Sequence, residues 1–264
     1  MGKPLTSDFD INFKRFFLVL FLLNLTSCTK QHLTYPTENT IIHGQLDWQK
    51  KLYFERINIF KKQPIGYNKI IFIGNSITQS GGDWNLRYET NTIVNRGISG
   101  DYTNGVLKRL DEIIFFKPKA VFLMIGINEF FADNSNNPDI SPSYVANKIL
   151  KIADTIREKS PNTKIFLHTI LPINADQYIK VKKVDYNFLQ EGFSPSVNQQ
   201  VVEANLILKS NLKYSVIDLH SVFINQNFDL NPLFSTDGVH LNEAGYDFWV
   251  KQTEDLLISL EKEI

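Results

Sequence analysis

Four short stretches of this chain carry side chains able to move a proton or attack a carbonyl. The first is Gly74-Asn75-Ser76-Ile77-Thr78. Its glycine permits a tight turn, and Ser76 then stands at the head of the following helix, its hydroxyl exposed and its own N–H able to face a developing oxyanion. The second is Asn95-Arg96-Gly97-Ile98-Ser99-Gly100-Asp101, where Gly97 can bring a bare backbone N–H close to a substrate. In the third, Gly126-Ile127-Asn128-Glu129, the Asn128 amide can donate to the same oxygen. The fourth is Asp237-Gly238-Val239-His240-Leu241-Asn242, in which a turn at Gly238 lets Asp237 reach Nδ1 of His240 while Nε2 faces the serine. A nucleophile, a base, an acid that orients the base and three oxyanion donors make up the machinery of acyl transfer through a serine. Asp237 and His240 also read as metal ligands, but no further Cys or His stands at ligand spacing near them, so neither metal nor organic cofactor is expected.

These stretches need a scaffold that brings their ends together. Short apolar runs at 69–73, 92–95, 120–125, 164–167 and 214–217 alternate with helical patterns, the signature of βαβ units and a parallel sheet whose strands are buried on both faces. In such sheets the ligand crevice lies beyond the carboxyl ends of the strands, where the first three stretches fall. Trp48, Leu52, Phe54, Ile57 and Phe60 mark a leading helix that Pro64-Ile65-Gly66 ends. Val106, Leu110 and Ile113 mark one further helix, and Val145, Ile149, Ile152 and Ile156 another with a single buried stripe. Pro118 and Pro161 stop these two, and two more helices are expected over 197–211 and 242–261. Residues 174–195 lack periodicity but carry Tyr178, Tyr186, Phe188 and Phe193. A loop of that length reads as a lid or specificity loop, or else as a surface excursion with a short helix inside it.

The four stretches, in this order, resemble the SGNH (GDSL-like) hydrolase family, whose name is its Ser, Gly, Asn and His; these map to Ser76, Gly97, Asn128 and His240. The likeness runs from about Trp48 to the C-terminus. It implies a three-layer α/β/α sandwich on a five-stranded parallel sheet (flavodoxin-like), Ser76, Asp237 and His240 as the catalytic residues, and Ser76, Gly97 and Asn128 as the oxyanion hole. Gly-Asn-Ser-Ile-Thr in place of the commoner Gly-Asp-Ser-Leu resembles the branch of platelet-activating-factor acetylhydrolase subunits and carbohydrate acetylesterases. Asn75 loses the carboxylate of the commoner motif.

The N-terminus implies export. Lys14 and Arg15 precede a short apolar run from Phe16 to Leu23, below the ~20 apolar residues a membrane span requires. It reads as a secretory signal over 1–27, and Leu25-Thr26-Ser27-Cys28 resembles a bacterial lipobox with Cys28 acylated. A polar tether over 28–46 and a hydrolase domain over 47–264 follow, which places the protein in the cell envelope, on a membrane through lipid alone. With 28 basic and 28 acidic residues there is no net field to draw nucleic acid, and 43% hydrophobic residues support a packed domain.

The substrate expected is a small-molecule or glycan ester, chiefly an acetyl ester of carbohydrate, with Trp84, Tyr88 and Tyr102 either sugar platforms or core. Alternatives are a lysophospholipase or thioesterase with an acyl tunnel roofed by 174–195, and an inactive glycan-binding protein on the same fold. His168 reads as a hydrogen-bonded histidine behind the crevice, and Arg96 with Asp101 as a local ion pair that shapes the Gly97 turn.

Overall fold

The computed structural model describes residues 35–134 and 139–262, which belong to one compact unit. The signal, Cys28 and the first part of the tether lie outside the described residues. In chain order the elements are α1 (Asp47–Lys62), β1 (Ile70–Gly74), α2 (Ser76–Ser80), α3 (Trp84–Tyr88), β2 (Ile93–Gly97), α4 (Thr103–Leu107), α5 (Asp111–Phe116) and β3 (Ala120–Met124). There follow α6 (Ile127–Phe130), α7 (Pro142–Lys159), β4 (Lys164–His168), α8 (Ala175–Lys182), α9 (Val197–Ser210), β5 (Ser215–Ile217), α10 (Leu219–Phe223) and α11 (Glu243–Lys262). Single 3₁₀ turns lie at Asn187–Leu189 and Pro232–Phe234.

The strands form one parallel sheet in the order β2-β1-β3-β4-β5. β1 and β3 are buried at every position, as the apolar runs predict. Because β2 and β3 flank β1 on opposite sides, the connections reverse direction at β1, and the crevice of a doubly wound sheet opens there. Ser76 follows β1 and Asn128 follows β3, so the topology alone carries two of the four stretches to one place.

Two groups of helices clothe the sheet. α7 packs with α4, α5 and α9, while α11 packs with α3. α7 shows how sequence makes an element: Ser141 accepts the N–H of Tyr144, Pro142 takes the first turn, where no donor is missed, and Val145, Ile149, Ile152 and Ile156 form the buried stripe. Each of those aliphatics contributes about 1.5–3 kcal/mol by burial. The α3 and α11 side is aromatic: Phe72 meets Trp84 at 4.8 Å and Trp84 meets Trp249 at 5.2 Å between ring centres. Trp84 is therefore core, and Tyr88 is half-buried with its ring on Phe72 and its hydroxyl on Thr253, so both are engaged in packing.

Two expectations change. The single helix through Val106, Leu110 and Ile113 is two short ones, α4 and α5, because the chain turns at Lys108 to Leu110 and Arg109 is drawn into the site. The tether expected over 28–46 ends by Tyr35. Ile42 is buried against Tyr53, Phe54, Ile57, Phe60 and Ile98, and the Tyr35 hydroxyl donates to Glu112 at 3.0 Å. This polar stretch is a strap pinned by isolated residues, which leave no periodic trace in sequence.

Candidate active site

Ser76 opens α2, and the local sequence dictates why. A Cβ on Gly74 would fall 2.1 Å from the Met124 carbonyl oxygen, so only glycine lets β1 turn this close to β3. Asn75 caps α2, its Oδ1 accepting the N–H of Ile77 at 3.0 Å. An amide oxygen serves here as well as a carboxylate, which explains why the departure from the commoner motif costs the turn nothing. The Tyr246 hydroxyl donates to the Ile77 carbonyl at 2.8 Å and the Trp84 indole to the Thr78 carbonyl at 3.0 Å, so α11 and α3 lock α2 in place.

The Asp237-to-His240 turn is built as its sequence predicts. Gly238 has φ +92°, and Asp237 Oδ1 accepts the N–H groups of Val239 at 3.0 Å and His240 at 2.8 Å. The other oxygen, Oδ2, lies 2.9 Å from Nδ1 of His240, and Nε2 lies 3.0 Å from the Ser76 hydroxyl oxygen. With Nδ1–H donating to the carboxylate, Nε2 is left as an acceptor for the serine proton. Ser76 is 9% exposed and the His240 side chain 33%, so the relay lies at the surface of the crevice with its acid buried beneath. Burial pushes the Asp237 carboxyl up, but hydrogen bonds from the His240 ring and backbone and from Lys182 outweigh it and hold the group well below the usual range. The carboxylate form of Asp237 is thereby favoured.

Asn128 sits on α6, behind Gly126, whose φ of +124° and crowding by Ile170 and Val145 exclude any side chain. Its Nδ2 donates to the Asp101 carbonyl at 2.8 Å, which aligns the amide with the second stretch. Glu129 beside it accepts the Thr103 N–H at 2.6 Å and is pushed up to about 7 by burial, with those hydrogen bonds pulling the other way.

Gly97 does not supply the donor expected of it. Its N–H is taken by Asn95 Oδ1 at 2.9 Å, and a Cβ there would fall 2.2 Å from the Gln79 nitrogen. This glycine lets β2 lie flush against α2, a packing task. Gly100, at φ +75°, has an N–H with no acceptor among the described residues, and it adjoins Asp101, whose carbonyl holds Asn128. Nothing in the sequence separates the two glycines; only the Asn95 side chain does.

The Arg96–Asp101 ion pair is not formed either. Arg96 pairs with Glu112 at 2.9 Å and lies over the Phe60 ring, while Asp101 pairs with Arg109 at 2.9 Å. Arg109 also donates to the carbonyls of Arg96 at 2.6 Å and Gly74 at 3.1 Å, so one buried guanidinium ties β1, β2 and the Gly100 turn together. Burial pushes Asp101 up to about 6 despite Arg109. Charged partners from α5 and from the α4–α5 turn win over a near neighbour in sequence.

Residues 174–195 contain α8 and a 3₁₀ turn, and they pack on the site. The Asn174 N–H donates to the Gly238 carbonyl at 2.7 Å, and Tyr178 and Phe188 meet Phe131 at 4.8 and 5.4 Å. Phe131 lies three residues beyond Asn128, so this segment builds an aromatic wall beside the crevice. Its last helical residue, Lys182, reaches Asp237 Oδ2 at 2.8 Å, a contact the sequence does not reveal. Tyr102, Asn104, Asn128, Tyr144 and Lys148 line a cavity of about 710 Å³ on the other flank. His168 is a core residue, buried between Phe122 and Trp249; burial pushes it down to about 3, and its Nε2 has no partner among the described residues. Among the described residues no group of three or more His, Cys, Asp or Glu is placed to hold a metal, and no helix is long and apolar enough to cross a membrane.

Solved structures share this architecture. A protein from Streptococcus pneumonia described as a platelet activating factor is 25% identical, with a TM-score of 0.60 over 79% of this chain and 92% of its own. A GDSL-like lipase from Bacteroides thetaiotaomicron is 20% identical, with a TM-score of 0.58 over 82% and 98%. A catalytic mutant of an acetylxylan esterase from Geobacillus stearothermophilus is 18% identical, with a TM-score of 0.52 over 74% and 95%. No curated protein matches significantly. The sequence pattern of the GDSL-like lipase/acylhydrolase family matches residues 72–248, the span from β1 into α11 that holds Ser76, Asn128, Asp237 and His240. The chain belongs to that family and is a hydrolase of the acylhydrolase class.

Proposed function

We propose that the protein is a serine esterase that removes small acyl groups, chiefly acetyl, from carbohydrate. The observation that carries this is the continuous relay from Asp237 through His240 to Ser76, with contacts of 2.9 and 3.0 Å, at the reversal point of the sheet. His240 Nε2 takes the hydroxyl proton as Ser76 Oγ attacks the ester carbonyl. Asp237 stabilises the imidazolium without taking its proton. The oxyanion is held by the Ser76 N–H, the Asn128 amide and, in place of Gly97, the Gly100 N–H. The tetrahedral centre collapses as the C–O bond to the alcohol breaks, and His240 returns the proton to that oxygen. Water then repeats the cycle on the acyl-enzyme, releasing acetate and free Ser76.

Carbohydrate is favoured by the cavity beside Asn128. Its volume of about 710 Å³ falls in the range of small-molecule sites, and tyrosines, amides and Lys148 supply ring faces and hydrogen bonds suited to a sugar. The acetylxylan esterase among the structural neighbours points the same way. A second reading, hydrolysis of longer acyl esters, rests on an apolar groove of about 480 Å³ beneath residues 174–195, with Ile173, Phe188, Leu189 and Val197 in its walls. Ser76 and His240 line neither space, but Asn128, an oxyanion donor in this reading, lines the cavity and not the groove, which favours the short acyl group. Rates on nitrophenyl esters of increasing chain length separate the two. The expected profile is highest for acetate and falls steeply by butyrate; rates rising toward octanoate would support the lipid reading.

A further inference from the structure

Among the described residues, one lysine touches the relay itself. Lys182, the last residue of α8, places Nζ 2.8 Å from Asp237 Oδ2, the oxygen that also lies 2.9 Å from His240 Nδ1. We propose that Lys182 is a positioning residue, which clamps the segment 174–195 onto the catalytic carboxylate and extends activity to lower pH. The inference rests on reading Ser76, His240 and Asp237 as the catalytic relay.

The geometry supports it in two ways. First, α8 is fastened at both ends to the same turn: Asn174 N–H donates to the Gly238 carbonyl, and Lys182 binds Asp237, with Tyr178 between them. A Cβ on Gly238 would fall 2.3 Å from the Asn174 carbonyl oxygen and 2.8 Å from the Tyr178 nitrogen, so helix and turn are in direct contact. Movement of α8 is therefore felt at Asp237. Second, an ammonium and an imidazolium sharing one oxygen stand within about 6 Å of each other, close enough for like charges to oppose one another measurably. Ser76 needs a neutral imidazole to take its proton. Lys182 brings positive charge to the carboxylate oxygen that the imidazole shares.

Other charges do not obscure the effect. The second titratable group that α8 brings near Asp237 is Tyr178, whose ring lies 5.9 Å from the Lys182 ammonium and which burial first, and Asp237 in part, keeps in its neutral form. Across the turn Ser235 is uncharged, and α2 offers only Ser76. Glu243 and Asp247, at the start of α11, point to solvent and are engaged by Arg87. The Lys182 side chain is 42% exposed, so the effect is smaller than for a buried pair.

The test is the pH profile of kcat/KM on nitrophenyl acetate for the wild type, Lys182→Met and Lys182→Arg, with melting temperatures as a check on folding. In Lys182→Met the acid limb should move up by about half to one pH unit, a three- to tenfold loss below the limb. Lys182→Arg should keep the wild-type limb. Raising the salt to about 1 M, where the screening length is about 3 Å, should move the wild-type limb upward and leave Lys182→Met where it is. A Lys182→Met profile that superimposes on an active wild type overturns the proposal and leaves the esterase reading intact. Identical behaviour of Met and Arg overturns it too, since charge would then be irrelevant. Failure of the esterase reading looks different: Ser76→Ala would retain activity whatever stands at 182.

Discussion

Ser76→Ala lowers kcat on nitrophenyl acetate by at least ~10⁴-fold, toward the residual rate that oxyanion donors and binding sustain alone. Its circular dichroism and melting temperature stay those of the wild type. The size follows from the chemistry: without Oγ there is no acyl-enzyme, and water must attack unaided by a positioned nucleophile. The stability follows from the structure, because the change removes one small hydroxyl, and its partner His240 belongs to a side chain that is 33% exposed. The turn itself is held by Gly74, Asn75 and the Trp84 and Tyr246 side chains that donate to α2 carbonyls, none of which is disturbed. A variant that both lost activity and melted much earlier would indicate a structural serine.

Asp237→Asn has the second largest effect, about 10⁴-fold in kcat at neutral pH. The amide can keep its Oδ1 bonds to the Val239 and His240 N–H groups, so the turn survives, but an NH₂ group then stands where Oδ2 met His240 Nδ1. Two donors cannot face each other. The ring responds by carrying its proton on Nε2, which puts a donor opposite Ser76 and removes the base. The same carboxylate makes a pH-dependent contribution to stability. Its folded-state value is depressed, so that contribution is present above the value of an unfolded aspartate, about 3.9, and is lost as pH falls below it. Melting temperatures from pH 7 to pH 2 should therefore fall less steeply for Asp237→Asn than for the wild type; parallel curves would mean that the carboxylate contributes no such linkage.

Sequence made the sheet and the relay legible because their determinants are local. A strand buried on both faces is a continuous apolar run, and a turn that folds an aspartate back onto a histidine needs only Gly238 between them. The parts that sequence hid are set by distant partners. Arg96 and Asp101, close in the chain, choose Glu112 on α5 and Arg109 in the α4–α5 turn because β2 and the Gly100 turn aim them at different partners. Gly97, the last residue of β2, and Gly100, in the turn after it, stand three residues apart, and the Asn95 amide decides which of them keeps a free N–H. Trp84 follows the serine stretch closely enough to look like a platform, yet it faces the sheet and packs with Phe72 and Trp249. Lys182 lies far from Asp237 in the chain and carries no motif, so its contact becomes visible only once α8 is placed.

The account stands on Ser76 being a nucleophile rather than a well-placed hydroxyl, and a fluorophosphonate probe reads that property directly. The wild-type protein should be labelled at Ser76 alone, with labelling lost in His240→Ala although the serine remains. A folded wild-type protein that stays unlabelled, or that takes the probe at another residue, would contradict the account and leave a glycan-binding protein on a hydrolase fold as the better description.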